Sequence, residues 1–195
     1  MNIFDKIKKL TKEIYPWYKF YKKDERGIEV PTLSIYEYLV KCNEYNNNLL
    51  AINYFNNKMN FQNFFNQIDF CARALKSQGV REGDVVTICM ANTPEAVISF
   101  YAVNKIGAIA NMLHPLSAEE EMKFSLQSTN SVLLLAMDLC YDKIKKIIDD
   151  TKVYKTIIVS ASDSMPKLLS LCYYVTKSHK ISYPSKSEKY IRSFI

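Results

Sequence analysis

The chain has 195 residues, of which 48% are hydrophobic and 13% aromatic, so it can bury one sizeable core and is not disordered throughout. The formal net charge of +6 is concentrated at the ends: residues 1–26 hold eight basic against four acidic residues, and residues 176–195 hold five against one. The middle of the chain is close to neutral, which argues against nucleic acid as a partner.

The sequence lacks the signals of membrane and secreted proteins. Its apolar runs are too short to cross a bilayer and its charged start has no signal-peptide pattern, so we expect a soluble, cytoplasmic protein. Only two histidines are present, His114 and His179, and no metal-ligand spacing is evident, so no metal-binding residue is predicted. Five scattered cysteines without a C-x-x-C pair favour free thiols in a reducing compartment: Cys42, Cys71, Cys89, Cys140 and Cys172.

Residues 1–30 are predicted to form a basic amphipathic leader. Apolar residues recur there at helical spacing with lysines between them. Two interpretations stay open: a weak contact of residues 1–26 with an anionic membrane surface or an acidic partner, and loose packing of the leader on its own domain. The second is favoured because amphipathic helices usually turn their apolar face towards a core.

Regular elements are predicted from Thr32 onward. Thr32 can cap a helix that ends near Glu44. Residues 49–55 and 58–61 are predicted to form a β-hairpin, because Asn56 and Asn57 between them tolerate the positive φ of a tight turn.

A long helix and a series of βαβ units follow the hairpin. The helix is predicted over residues 61–77, with Asn60 as its cap and Gly79 as its stop. Beyond it, short apolar runs alternate with helices, and uninterrupted runs indicate strands covered on both faces. The predicted strands are residues 85–91, 108–113, 132–136 and 156–159. The predicted fold class is therefore α/β, a parallel sheet with helices on both faces, preceded by a helix and a β-hairpin.

Polar residues mark the predicted starts of the helices between these strands. Thr93 is a cap, with Glu95 close to the positive end of the helix dipole. Ser117 and Glu120 have the spacing of a capping box, and Asp138 is a cap for the helix after the third strand. We therefore interpret these residues as helix caps and helix-start residues, and not as catalytic groups.

The end of the chain shows weaker patterns. Residues 165–175 are compatible with one more helix, and residues 176–195 are predicted to be a basic, poorly ordered tail without a secondary-structure element. The predicted organisation is thus a leader over 1–30, an α/β domain over 31–175 and a tail over 176–195.

Candidate catalytic and binding residues are expected where the strands end, because ligands bind there in parallel α/β sheets. The four glycines are too dispersed for a phosphate loop. His114 lies in the expected place, but no carboxylate is placed to orient it. Lining a pocket edge, or donating a hydrogen bond to a loop carbonyl, is therefore favoured over catalysis with Ser117. Residues 119–121 are three consecutive glutamates, which diverge on a helix and cannot act as an acid–base pair. No residue is assigned a catalytic, cofactor-binding or metal-binding role.

Three segments resemble one enzyme family in series. They are Gly79-Val80-Arg81-Glu82-Gly83-Asp84-Val85-Val86, Met90-Ala91-Asn92-Thr93-Pro94-Glu95 and Tyr101-Ala102-Val103-Asn104-Lys105-Ile106-Gly107-Ala108. The series resembles the early part of AMP-forming acyl-CoA synthetases and their adenylate-forming relatives, over roughly residues 33–160. These are scaffold motifs, in which glycines end helices and turn into strands.

The resemblance implies a reaction and a set of cofactors. Such enzymes use ATP and Mg²⁺ to convert a carboxylic or fatty acid into an acyl-adenylate, and CoA then displaces AMP. The family's phosphate loop, adenine site and mobile lysine match nothing in this sequence. We therefore expect an N-terminal portion that needs no cofactor itself and is inactive alone, while its intact parent takes a carboxylic acid. The alternative is a non-catalytic, truncated product that acts as a protein-interaction module.

Overall fold

The protein is represented by a computed structural model, which describes residues 31–177 and 190–192 together with positions 3, 17 and 20–22. The chain divides into two compact units, residues 1–32 and 33–195. The predicted amphipathic leader belongs to the first unit and, apart from those single positions, lies outside the described residues.

The second unit contains a helix, a hairpin and a parallel sheet with connecting helices. The helices are α1 (Ile35–Cys42), α2 (Phe61–Ser77), α3 (Pro94–Lys105), α4 (Glu119–Ser128), α5 (Tyr141–Ile147) and α6 (Lys167–Lys177). The strands are β1 (Leu50–Tyr54), β2 (Asn57–Asn60), β3 (Val85–Cys89), β4 (Ile109–Met112), β5 (Leu133–Met137), β6 (Lys155–Val159) and β7 (Tyr190–Arg192). In the described residues, no helix combines the length and apolar character needed to span a membrane.

The main sheet has the strand order β4-β3-β5-β6-β7, and every pairing in it is parallel. The predicted α/β fold with a parallel sheet is confirmed. All five residues of β5 are buried, as expected for a central strand covered on both faces. On the β3–β4 side, α3 packs on the sheet and is covered by α1 and α2, and α4 packs against α5.

One strand was missed by the sequence pattern. The tail after residue 176 was predicted to contain no element, but Tyr190–Arg192 pairs with β6 as β7. A three-residue strand is too short to show periodicity, and it exists because the outer edge of β6 offers backbone groups to pair with. The rest of the tail from 178 onward lies outside the described residues.

The first helix begins later than predicted. Ser34, and not Thr32, is the cap of α1: its hydroxyl accepts a hydrogen bond from the Glu37 amide at 3.1 Å, and the Glu37 carboxylate accepts one from the Ser34 amide at 2.8 Å. This reciprocal capping box satisfies two amides at once, which a lone threonine at 32 cannot do.

The hairpin turn is shifted by one residue from the prediction. Phe55 and Asn56 carry the positive φ values, 50° and 66°, and Asn57 is already the first residue of β2. Positive φ at both central residues is the mark of a type I′ turn, whose twist matches the flanking strands. The pairing of Tyr54 with Asn57 fixes the turn at this position.

The long helix agrees with the sequence pattern. Asn60 caps α2 by accepting a hydrogen bond from the Asn63 amide at 2.9 Å, and Gly79 follows its end with φ of +97°. The inward face buries Phe64, Ile68, Cys71, Ala72 and Leu75. This face rests on α3.

Candidate functional site

A cavity of about 480 Å³ lies at the carboxyl ends of β3, β4 and β5. Its lining residues come from the three segments that directly follow these strands and from α5: Met90, Ala91, Asn92, His114, Pro115, Leu116, Met137, Leu139, Cys140 and Lys143. The Ala91 amide donates to the Met137 sulfur at 3.0 Å, so the ends of β3 and β5 are tied together beneath the cavity. The sequence predicted a ligand site at this edge of the sheet.

His114 lines the cavity from an exposed position. Its Nδ1 accepts a hydrogen bond from the Leu116 amide at 3.1 Å, which leaves Nε2 as the free ring nitrogen. Among the described residues, neither a carboxylate nor the Ser117 hydroxyl forms a hydrogen bond with this ring. The structure places His114 on the pocket edge, and its chemical role stays a prediction.

Ser117 does not form the predicted capping box. Helix α4 begins at Glu119, and Ala118 at the cap position has no side-chain hydrogen bond. The Ser117 amide donates to the His114 carbonyl at 3.1 Å, and its carbonyl accepts from Lys143 Nζ at 2.9 Å. The tight turn over the end of β4 thus places Ser117 one residue too early to cap, and a lysine from α5 holds the turn instead.

Asp138 is also not a helix cap. It follows β5 directly, is buried, and starts a 3-10 turn over Asp138–Cys140, after which α5 begins without a side-chain cap. Its carboxylate accepts hydrogen bonds from Ser160 Oγ at 2.7 Å and from the Tyr173 hydroxyl at 3.0 Å. The residue therefore connects the ends of β5 and β6 with α6, a role that depends on residues remote in sequence.

A buried thiol forms part of the cavity wall. Cys140 lines the cavity, and its thiol donates to the Pro115 carbonyl oxygen at a distance of 3.5 Å. Interaction with the Cys89 thiol and the nearby positive charge of Lys143 lower the pKa of Cys140 from its ordinary value, against the opposing effects of burial and Asp138.

A second cavity of about 420 Å³ lies between the hairpin, α2 and the start of α3. Glu95 was predicted to complement the dipole of α3, and it does lie in the first turn, but it is buried as well. One carboxylate oxygen accepts from the Ser164 hydroxyl, and the other has no hydrogen-bond partner among the described residues. Burial and the charge of Glu95 raise the pKa of Tyr54, which lines this cavity. No local sequence signal indicates that this glutamate is buried.

The described residues do not fit the nucleotide and metal that the family resemblance implies. They contain no group of three or more histidine, cysteine or acidic side chains arranged for a metal ion. The one lysine on the main cavity, Lys143, already donates to a backbone carbonyl. A triphosphate with Mg²⁺ needs several cationic or amide donors and a carboxylate pair, and the lining of the main cavity does not supply such a set.

Three comparisons relate the chain to known proteins. The model of the AMP-binding enzyme family matches residues 40–184, well over half of the chain. The long-chain-fatty-acid–CoA ligase of Bacillus subtilis (strain 168) is 25% identical over 167 residues, which are 85% of this chain and 30% of that ligase. The 4-coumarate–CoA ligase 3 of Arabidopsis thaliana is 27% identical over 95 residues, 49% of this chain and 17% of that ligase.

The solved structures agree with the sequence comparisons on the fold. The coronafacic acid ligase of Pectobacterium brasiliense superposes with a TM-score of 0.65 at 20% identity, over 82% of this chain and 28% of that chain. This chain spans 30% or less of each of these three proteins. The parallel sheet agrees with these structural matches. Because the family model matches residues 40–184, the chain belongs to the AMP-binding enzyme family.

Proposed function

We propose that the chain is the N-terminal portion of an ATP-dependent ligase that converts a carboxylic acid, with a fatty acid as the favoured class, into its CoA thioester through an acyl-adenylate. The observation that carries the proposal is the match to the AMP-binding enzyme family over residues 40–184. The B. subtilis relative, named as a long-chain-fatty-acid–CoA ligase, aligns with 85% of the chain and supports the fatty-acid class.

In this proposal the described residues build the pocket wall and other segments of the ligase perform the chemistry. The cavity at the ends of β3, β4 and β5 has a largely apolar wall, and Met90, Leu116 and Met137 are among its lining residues. It could hold an uncharged part of a ligand, but it offers no set of groups for ATP or Mg²⁺. The chain alone is therefore proposed to be inactive, with ATP, Mg²⁺ and CoA held by the remainder of the ligase.

The experiment isolates the native protein with an antibody against residues 33–160 and measures both its mass and its acid-dependent release of pyrophosphate. We expect a protein more than twice as heavy as 22.6 kDa that releases pyrophosphate only when ATP and a carboxylic acid are both present. The 195-residue chain, expressed alone, is the matched control and should give no release. A native band at 22.6 kDa without acid-dependent release would contradict the proposal.

A second candidate function is a non-catalytic module that binds another protein. The observation that favours it is an apolar stripe on α6, where Leu168, Leu171 and Val175 recur at helical spacing and are largely exposed. As a partner-binding module, the 195-residue chain should stay soluble and unfold cooperatively. As part of a larger domain, it should bind hydrophobic dye through this stripe and lose that binding in Leu168→Ser/Val175→Ser, while Thr176→Ala on the same helix keeps it.

The sequence pattern also supports a proposal for where the protein is located in the cell. We propose a cytoplasmic protein, with residues 1–26 as an optional weak contact to anionic membrane surfaces because of their basic amphipathic pattern. Flotation with anionic vesicles at low and high salt tests the contact. Binding that is lost at high salt supports it, and absence of binding at low salt contradicts it.

A further inference from the structure

Helix α6 carries an apolar stripe that faces solvent. Leu168, Leu171 and Val175 are 74%, 61% and 71% exposed, and Cys172 between them is exposed as well. These four positions are spaced i, i+3, i+4 and i+7, so they form one continuous face along most of the helix. An amphipathic helix normally buries such a face, so the stripe of α6 is a candidate docking surface.

The opposite face of α6 holds the helix on the domain. Tyr173 packs against the hydrophobic core, and its hydroxyl donates to the Asp138 carboxylate at 3.0 Å. An α-helix turns by about 100° per residue, which places Tyr173 on the side opposite the middle of the stripe. The stripe therefore faces outward because the tyrosine side of the helix is anchored to the fold.

The charge beside the stripe is positive. Helix α6 begins at the exposed Lys167, and its sequence KLLSLCYYVTK contains no acidic residue. The sequence that continues from its last turn is basic as well, since residues 176–195 hold five basic residues against one acidic. Asp163, the acid that precedes the helix, accepts a hydrogen bond from the Ser160 amide at 3.1 Å. Apolar surface and positive charge thus adjoin, which complements a lipid surface with anionic headgroups.

We propose that the stripe of α6 docks the protein on an anionic lipid surface. The helix has 11 residues, which at about 1.5 Å per residue give a length of about 16 Å. This is roughly half of the hydrocarbon thickness of a bilayer, so the helix lies along the interface and does not cross it. The leucines and the valine enter the boundary between headgroups and acyl chains, and Lys167 stays at the level of the phosphates.

A lipid surface fits these observations better than a second copy of the chain. Two copies that met through α6 would bring basic sequences of the same sign together, which opposes self-association. Docking on lipid needs only exposed apolar area and positive charge, and α6 presents both. The inference does not depend on the proposed ligase activity, and it concerns a different surface from the contact proposed for residues 1–26.

The experiment measures flotation of the 195-residue chain with phosphatidylcholine vesicles that contain or lack phosphatidylglycerol as the anionic lipid. We expect binding to the anionic vesicles that weakens at high salt, because counter-ions screen the basic charge. Leu168→Ser/Val175→Ser should lower the binding constant roughly tenfold or more by removing apolar area from the stripe. The matched control Ile109→Ser/Phe124→Ser replaces two other exposed apolar residues, which are 55% and 70% exposed, and should bind as the parent does.

A charge substitution tests the electrostatic part separately. Lys167→Gln should weaken binding to the anionic vesicles roughly threefold to fivefold, because a lysine close to such a surface contributes about this factor. Lys145→Gln removes the same charge from an exposed position on α5 and should have a smaller effect.

A thiol reporter locates the element that enters the lipid. Cys42 and Cys172 are the two exposed cysteines, and the other three are buried. In Cys42→Ser, a polarity-sensitive dye attached to Cys172 should shift its emission to the blue when anionic vesicles are added. In Cys172→Ser, the same dye attached to Cys42 on α1 should not shift. This readout keeps the leucines and the valine of the stripe intact, so it decides the proposal even if the double serine variant fails to fold.

Flotation that needs the stripe, together with a blue shift at Cys172 alone, supports the proposal. It is overturned if the chain stays off anionic vesicles, or if the stripe variant floats as well as the parent. A dimer in sedimentation that the stripe variant abolishes would show that a second copy is the occupant. The native protein, isolated with the antibody against residues 33–160, should float as well. If it stays off vesicles that the 195-residue chain binds, the stripe is covered in a larger protein and the proposal is wrong.

Discussion

Replacing Asp138 distinguishes the role that its sequence position predicts from the role that the tertiary structure gives it. As a helix cap, the aspartate would stabilise only the first turn of a helix, and its loss would cost about 1 kcal/mol of unfolding free energy. In the structure it is a buried acceptor for Ser160 Oγ and the Tyr173 hydroxyl. Asp138→Ala then removes these two hydrogen bonds to a charged group, in addition to a local one from the Leu139 amide at 2.9 Å.

The expected cost follows from these two contacts. A hydrogen bond to a charged group contributes about 1.5–3 kcal/mol, which sets an upper range of about 3–6 kcal/mol for the pair. The loss is smaller than this because Ser160 Oγ lies 3.0 Å from Ser162 Oγ and can bond there, and Tyr173 is only half-buried and can reach water. We expect Asp138→Ala to lower the unfolding free energy by about 3 kcal/mol.

Two further substitutions at the same position sharpen the test. Serine is as good a helix cap as aspartate, so Asp138→Ser would cost less than about 0.5 kcal/mol if the residue were a cap. A serine side chain is shorter, is uncharged and has one oxygen in place of the two carboxylate oxygens that Ser160 and Tyr173 contact, so the structure predicts a loss of about 2–3 kcal/mol instead. Asp138→Asn keeps one acceptor oxygen and the volume, and should fall between wild type and alanine.

The assay is urea unfolding of the 195-residue chain followed by far-UV circular dichroism, with free energies from linear extrapolation. Glu121→Ala, an exposed acid in the first turn of α4, is the control and should change stability by no more than about 0.5 kcal/mol. Full stability of Asp138→Ser together with a loss of only about 1 kcal/mol in Asp138→Ala would refute the buried-acceptor role.

Five further substitutions test three individual features by the same unfolding assay. Ser34→Ala should cost about 1 kcal/mol by removing the capping box of α1, and Thr32→Ala should be neutral; the reverse order would restore Thr32 as the cap. Ile88→Ala at a fully buried position of β3 should lower the unfolding free energy by about 3–4 kcal/mol. Ile109→Ala on the exposed edge strand β4 should lower it by less than about 0.5 kcal/mol. Similar losses for the two variants would contradict the burial pattern. Phe55→Asn should raise stability by about 0.5–1 kcal/mol because asparagine tolerates the positive φ of the hairpin turn better than phenylalanine; a loss would mean that the ring contact with the neighbouring tyrosine outweighs the strain.

The sequence determined the elements whose signals are local. The apolar runs of β3 and β5 indicated buried strands, and the parallel sheet followed from their alternation with helices. Gly79 and Gly107 were predicted helix stops and adopt positive φ, as does Asn130 after α4. Each of these features depends on neighbours a few residues away, so a single sequence carries enough information to predict them.

The edge of the sheet that carries the main cavity was also predictable, because the carboxyl ends of parallel strands gather at one side. The sequence placed His114 there as a pocket-edge residue, and the structure agrees. The exact roles of the polar residues at that edge were not predictable. Ser117 and Asp138 both look like helix caps in sequence, yet the first is held by Lys143 and the second by Ser160 and Tyr173.

Only the tertiary structure decided the features that join distant parts of the chain. The burial of Glu95 against Ser164 and the pairing of β7 with β6 have no local pattern. Each depends on which strands become neighbours and on which side chain then fills or partners a buried site. Burial and hydrogen bonding between remote segments are set when the sheet assembles, and this is why composition and periodicity predicted the scaffold but not the chemistry of its cavities.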